Sequence, residues 1–153
     1  MGRRRGALGT AVLGALLWGG APVSAGQAVP ASGDLAARLA AVRNRGTLRI
    51  TTRGRRTGTP HTVTIWFVVE GTTLYLATLD ARRDWVRNVG KTPEVALDIG
   101  GLRLHGRVTT VTDPALEAHV RKLLAEKYWM AWLGSWFGKG PARTFRVDGL
   151  EVT

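Results

Sequence analysis

The sequence predicts a mainly β protein, an antiparallel β-barrel with a few helices, over residues 34–153. Three observations carry this reading. Apolar residues alternate with polar ones from Leu48 onward, short glycine-containing turns join successive runs, and only a few stretches have helical period. Hairpin-linked strands with so little helix favour an antiparallel barrel over a doubly wound sheet.

The elements follow in order. Gln27 to Gly33 reads as a small-residue linker containing Pro30. Asp34 is expected to cap a helix whose Leu35, Leu39 and Val42 share one face, with Gly46 closing it. Leu48 and Ile50 then alternate with Arg49 and Thr51. Beyond a turn rich in Gly and Arg, Val63, Ile65, Phe67 and Val69 are expected to point inward. Glu70-Gly71 leads into Leu74 and Leu76, and Gly100-Gly101 joins Val95–Ile99 to a long strand carrying Leu102, Leu104 and Val108. A last strand is expected around Thr144 to Val147. Asp84 to Val89 suits a short helix, and Asp113-Pro114 opens a longer one with Leu116, Val120, Leu123 and Leu124 as its stripe.

Composition narrows the function classes. Of 153 residues, 44% are hydrophobic and 22% charged, enough apolar material for a core without metal or disulfide staples. With no cysteine, disulfides, thiolate metal sites and cysteine nucleophiles are excluded. The formal charge of +11 favours anionic partners: phosphorylated cofactors, acidic lipid surfaces or nucleic acid.

The first 25 residues read as an address. Arg3, Arg4 and Arg5 precede an apolar run from Ala7 to Trp18, and Val23-Ser24-Ala25 offers a cleavage site after Ala25. A Sec signal or a twin-arginine signal would export the protein and an uncleaved anchor would hold it at a membrane, with a wrongly assigned start codon as the remaining alternative. Without this segment 19 basic residues still face 11 acidic ones, a charge of +8.

Three segments can carry chemistry. Thr51-Thr52-Arg53-Gly54-Arg55-Arg56-Thr57-Gly58-Thr59-Pro60-His61 packs arginines, glycines and hydroxyls between two strands. Glycines admit a ligand close to backbone amides and guanidinium groups pair with phosphate. A solvated hairpin loop is the alternative. In Thr78–Asn88, Arg82 and Arg83 precede a helix start that would add its own pull on an anion, with Trp85 and Asn88 following. Here the alternative is a core anchor and a cap. Lys127 to Phe137 holds Tyr128, Trp129, Trp132 and Trp136, suited to a substrate pocket, a subunit interface or a membrane-facing belt. His61, His105 and His119 show no metal-ligand spacing, and no nucleophile elbow or carboxylate pair stands out. Catalysis would then belong to a bound cofactor.

These segments together resemble the deazaflavin-dependent nitroreductase family, within the pyridoxamine-phosphate-oxidase-like split-barrel superfamily. The resemblance covers roughly Leu48 to Val152. It rests on Thr51–Gly58, similar to that family's T-G-R-x-S/T-G turn, and on Asp84-Trp85-Val86-Arg87-Asn88, similar to its W-x-x-N element, followed by Lys91-Thr92-Pro93. His61 stands where relatives commonly carry arginine, and Val86 where an aromatic is usual.

The resemblance implies a split β-barrel, often a homodimer, binding F420 or sometimes FMN. Its reduced cofactor would pass a hydride to a quinone-like or nitroaromatic acceptor. Carried over by position, Arg55, Arg56, Thr57 and Gly58 would hold the phosphate-bearing tail. Thr62 and Thr64 would meet the ring, and Arg82, Arg83, Trp85 and Asn88 would close the tail side. Tyr128, Trp129, Trp132 and Trp136 would contact substrate. The non-enzymatic alternative is an exported barrel binding a hydrophobic ligand or a membrane surface. A nucleic-acid binder is a third reading, against which export weighs.

Overall fold

Alternation of period two places every second side chain of a strand on one face, so six such runs can close around a single core. The computed structural model, which describes residues 31–132 and 140–153, shows this closure. The strands are β1 (Leu48–Arg53), β2 (Pro60–Glu70), β3 (Thr73–Thr78), β4 (Glu94–Ile99), β5 (Leu102–Thr110) and β6 (Arg143–Val152). They form a closed antiparallel barrel in the order β1-β2-β3-β6-β5-β4. Ile50 stands opposite Val63 and Leu97, and Leu76 opposite Phe67 and Phe145. The helices are α1 (Ala31–Val42), α2 (Asp84–Lys91), α3 (Pro114–Lys127) and the short α4 (Trp129–Trp132). The expected export segment, residues 1–25, lies outside the described residues.

The barrel interior holds Leu48, Ile50, Phe67, Leu74, Leu76, Leu97, Ile99, Leu104 and Phe145, all buried. Leu39 of α1 and Trp85, Val86 and Val89 of α2 complete this core, with the Trp85 ring edge-on to Phe145 at 5.1 Å. A second cluster forms outside the barrel, where Val120 and Leu124 of α3 cover Val68, Tyr75 and Ala77. Strand β3 is therefore buried on both faces, and alternation in its sequence reports only half of its packing. Asp113 caps α3 as its position predicts, accepting a hydrogen bond from Leu116 N at 3.0 Å.

Three expectations need correction. Asp34 is not a cap: α1 begins at Ala31, and Asp34 lies in its first turn, paired with Arg38 one turn on at 2.8 Å. Val63 does not join the core. It is 39% exposed, because β2 runs past the barrel interior at its first residues. The last strand is longer than its apolar residues suggest and continues to Val152.

Two features test this packing. Gly106 sits at the bulge between His105 and Arg107, where an added Cβ would stand 2.5 Å from Val147 Cγ1 and 3.2 Å from Asp148 O. Gly106→Ala is expected to lower unfolding free energy by about 1–3 kcal/mol. Gly46→Ala, at an open position, serves as its control in urea titrations.

At the end of α3, Lys127 donates to Phe67 O at 2.8 Å and lies 3.6 Å from the Phe67 ring centre. Burial lowers its pKa from 10.5 to about 8. Between these values the unfolded chain keeps a proton that the folded protein has released, so this group's contribution to stability rises with pH across that window. The wild type is expected to gain stability relative to Lys127→Met between pH 8 and pH 10. Urea midpoints that move in parallel would contradict the assignment.

Candidate functional site

The turn between β1 and β2 is built by its own backbone. Gly54 N donates to Thr59 O and Gly58 N to Gly54 O, both at 2.8 Å. Gly58 has φ of 73°, a left-handed value that a side chain disfavours. Gly54 answers a different need: a Cβ there would meet His61 Nε2 at 2.9 Å and Thr57 Oγ1 at 3.0 Å. The hydroxyls of Thr57 and Thr59 lie 2.7 Å apart, and His61 Nε2 is 3.2 Å from Thr59 Oγ1.

This turn is fastened to α2 by a buried amide. Asn88 donates from Nδ2 to Thr52 Oγ1 at 3.0 Å, and its Oδ1 accepts from Arg55 N at 3.1 Å. Lys91 Nζ donates to Arg55 O at 2.7 Å. Asn88 is 3% exposed and Thr52 2%, so neither group has water as an alternative partner. Asn88 is thus the brace that sets the distance between turn and helix. Trp85, one turn earlier on α2, is at once a core anchor and part of the site's wall.

Two hollows adjoin here. One, of about 420 Å³, is lined by the turn (Gly54, Arg55, Arg56, Thr57) and by Asn88. The other, of about 330 Å³, runs along Thr64, Trp66, Ala77, Leu79 and Arg83. Val63, Asp84 and Trp85 line both, so the two make one groove. Exposed Val63 and Leu79 give it an apolar wall at a cost in solvation that a core residue would not incur. Past Trp66, Ala77, Thr78 and Leu79 the groove continues into a narrow apolar cleft bounded by Leu124, Tyr128 and Pro141.

Charge in the groove is mixed. Arg55 Nη1 donates to Asp84 Oδ1 at 2.8 Å, and this hydrogen bond holds the Asp84 carboxyl below the usual carboxylate range. Arg82 turns away to Asp80, 3.1 Å from Nε to Oδ1, and is largely exposed. Its hydrogen bond likewise lowers the Asp80 carboxyl. Arg56 and Arg83 also line the groove and, among the described residues, form no salt bridge. Positive charge therefore survives the local pairing.

The structure brings together Arg55, Arg56, Thr57, Thr62, Thr64, Arg83, Trp85 and Asn88 along this groove. Gly58 shapes the turn without lining it, and Arg82 stands apart. Thr62 also pairs with Thr51, their hydroxyls 2.7 Å apart. Tyr128 borders the far cleft, half-buried, its ring stacked on Trp66 at 5.1 Å. Its hydroxyl lies 2.8 Å from Gly46 O and 2.9 Å from Phe67 O, and burial pushes the phenol pKa up. Trp129 is 59% exposed at the start of α4. Trp132 belongs to α4, and Trp136 lies outside the described residues. Sequence reasoning missed Asp84, Val63 and Leu79 as groove residues. One acid in a stretch that mixes Asp80, Arg82, Arg83 and Arg87 does not single itself out. An aspartate that opens a W-x-x-N element and faces an arginine turn is nonetheless a signal that could have been used.

A family model described as Pyridoxamine 5'-phosphate oxidase matches residues 36–153. The chain belongs to that family. Solved structures agree on the fold. A pyridoxamine 5'-phosphate oxidase candidate from Listeria innocua superposes with a TM-score of 0.58 at 15% identity, over 77% of this chain and 96% of that one. An F420-H2 dependent reductase, FDR-A, gives 0.55 at 22% identity, over 68% and 95%. A domain-swapped dimer gives 0.56 at 21%, over 68% and 81%. No curated protein matches the chain. The barrel is thus a pyridoxamine-phosphate-oxidase-like split barrel, a fold that includes oxidoreductases and binds FMN or F420 in related proteins.

The brace predicts its own test. Asn88→Ala strands the buried Thr52 Oγ1, removes the acceptor of the part-buried Arg55 N–H and is expected to cost about 1–3 kcal/mol. Amide hydrogen exchange at Arg55 should quicken along with global loss of stability.

Proposed function

We propose that this split barrel is an oxidoreductase that holds F420, with FMN as the alternative, and reduces a quinone-like or nitroaromatic acceptor. The observation that carries this reading is the groove itself: arginines and hydroxyls at one end, an apolar wall along its length, and a brace between them. Its two hollows fall within the size range of cofactor sites. The residues fit the group. Arg55, Arg56 and Thr57 would hold a phosphate-bearing tail. Val63, Thr64, Leu79 and Trp85 would flank a flat ring and exclude water from it. When bound, the cofactor supplies the hydride. The protein's own contribution would be to orient the ring along the groove beside Trp66 and Leu79, where an acceptor would lie.

Pairing with a second copy belongs to the same proposal. The outer face of β1 and β4 carries a hollow of about 230 Å³ lined by Arg49, Thr51, Thr62, Ala96 and His105, contiguous with the groove through Thr62. Likeness in fold to a domain-swapped dimer supports it. Export by residues 1–25 stays part of the proposal on its sequence pattern.

A second reading rests on Trp129 and Met130, which are 59% and 71% exposed. It is an exported, non-catalytic barrel meeting a hydrophobic ligand or membrane surface through them.

Titration of the full chain with F420 and with FMN, followed by tryptophan fluorescence, separates the two. Saturable binding that Arg55→Ala/Arg56→Ala weakens at least tenfold is expected. Absence of binding up to about millimolar, near 4 kcal/mol of affinity, rejects the oxidoreductase reading and favours the second one.

A further inference from the structure

Asp84 is a carboxylate in the middle of a groove whose other charges are positive. It lines both hollows and meets Arg55 at 2.8 Å. Its side chain is 80% exposed, so the barrel does not need it for packing. A solvent-facing ion pair of this kind contributes little to stability. Asp84 also opens α2, where its charge is favourable to the helix, but any small polar residue could serve there. What its position does affect is the charge that an incoming anion meets. Arg55 is half-committed before a ligand arrives, Arg56 and Arg83 are not, and the carboxylate repels each negative charge brought to the turn.

We propose that Asp84 is a specificity-determining residue that narrows the groove's preference for a doubly charged phosphate monoester over a singly charged phosphate diester. The proposal rests on the cofactor reading above and sharpens it. A phosphate diester carries one negative charge, whereas a monoester such as that of FMN carries nearly two at neutral pH. Three guanidinium groups alone would favour the higher charge. Subtracting one unit beside Arg55 penalises the dianion twice as much as the monoanion, since Coulomb energy scales with ligand charge. The apolar wall is indifferent to this choice.

The test uses Asp84→Asn in the full chain, with Asp84→Ser as a second variant that keeps a helix-start oxygen. Orthophosphate and dimethyl phosphate serve as dianion and monoanion probes alongside FMN and F420, at low salt, with tryptophan fluorescence as readout. A charge a few ångströms away in a water-like setting is worth about fivefold in affinity per unit of ligand charge. The preference for orthophosphate over dimethyl phosphate is therefore expected to rise roughly fivefold in both variants and to shrink in 0.5 M salt. An unchanged preference, or equal weakening of both probes, overturns the inference and makes Asp84 a prop for Arg55. If neither cofactor binds any form while the orthophosphate preference still rises, the charge selection stands and the cofactor reading falls.

Discussion

Burying a primary amide obliges the fold to supply partners for it, and Asn88 finds them on two other elements. Its donor reaches Thr52 on β1 and its acceptor takes the Arg55 amide in the turn. Neither bond can be exchanged for water, so α2, β1 and the turn hold one relative position. Trp85 and Val89 lie three residues before and one after it, on the side of α2 that packs into the barrel core. The same helix face thus fixes both the apolar wall and the arginine-rich turn. Arg56, Thr57 and the groove's width all take their places from that single constraint.

The barrel was legible because its strands bury one face against one core. Leu48 and Ile50, Ile65 and Phe67, Leu97 and Ile99 all fall on the inner face that alternation assigns them. Legibility ended where a second rule entered. Tyr75 and Ala77 are buried by α3 rather than by the barrel, a contact between distant segments that a local pattern does not contain. Val63 obeys the alternation and still faces solvent, because a strand can outrun the core it helps to build. Asp34 looks like a cap from its neighbours alone, yet small residues before it sustain another turn of helix.

The site divides in the same way. Turn glycines and the W-x-x-N spacing were readable because each meets a local demand: a positive φ at Gly58, a same-face pair at Trp85 and Asn88. Which arginine remains available was not readable. Arg82 and Arg83 are neighbours in sequence, but the bend at Asp80 captures the first and leaves the second at the groove. Likewise Arg55 hydrogen-bonds Asp84 and Asn88, whereas its neighbour Arg56 is exposed. Loop geometry decides these pairings, and a run of like residues conceals it. Tyr128 shows the converse. Its place in an aromatic run suggested a wall, and the structure gives it that place together with a structural duty at Phe67 and Gly46.

A formal charge of +11 suggests a field that would draw in any anion, yet the groove is more discriminating than the total implies. At the turn two of the nearby cations are answered locally, by Asp80 and Asp84, and the residual charge is set by Arg56 and Arg83. An apolar wall such as Val63, Leu79 and Trp85 separates similarly shaped flat rings poorly, because nothing polar is left unpaired when the wrong one enters. On the proposed cofactor reading, selection between ligands falls to the end of the groove where charge and hydrogen bonds are counted. That end is a turn whose chemistry can change by single residues while the brace beneath it keeps its geometry, which is how one split barrel can serve different cofactors without altering its core.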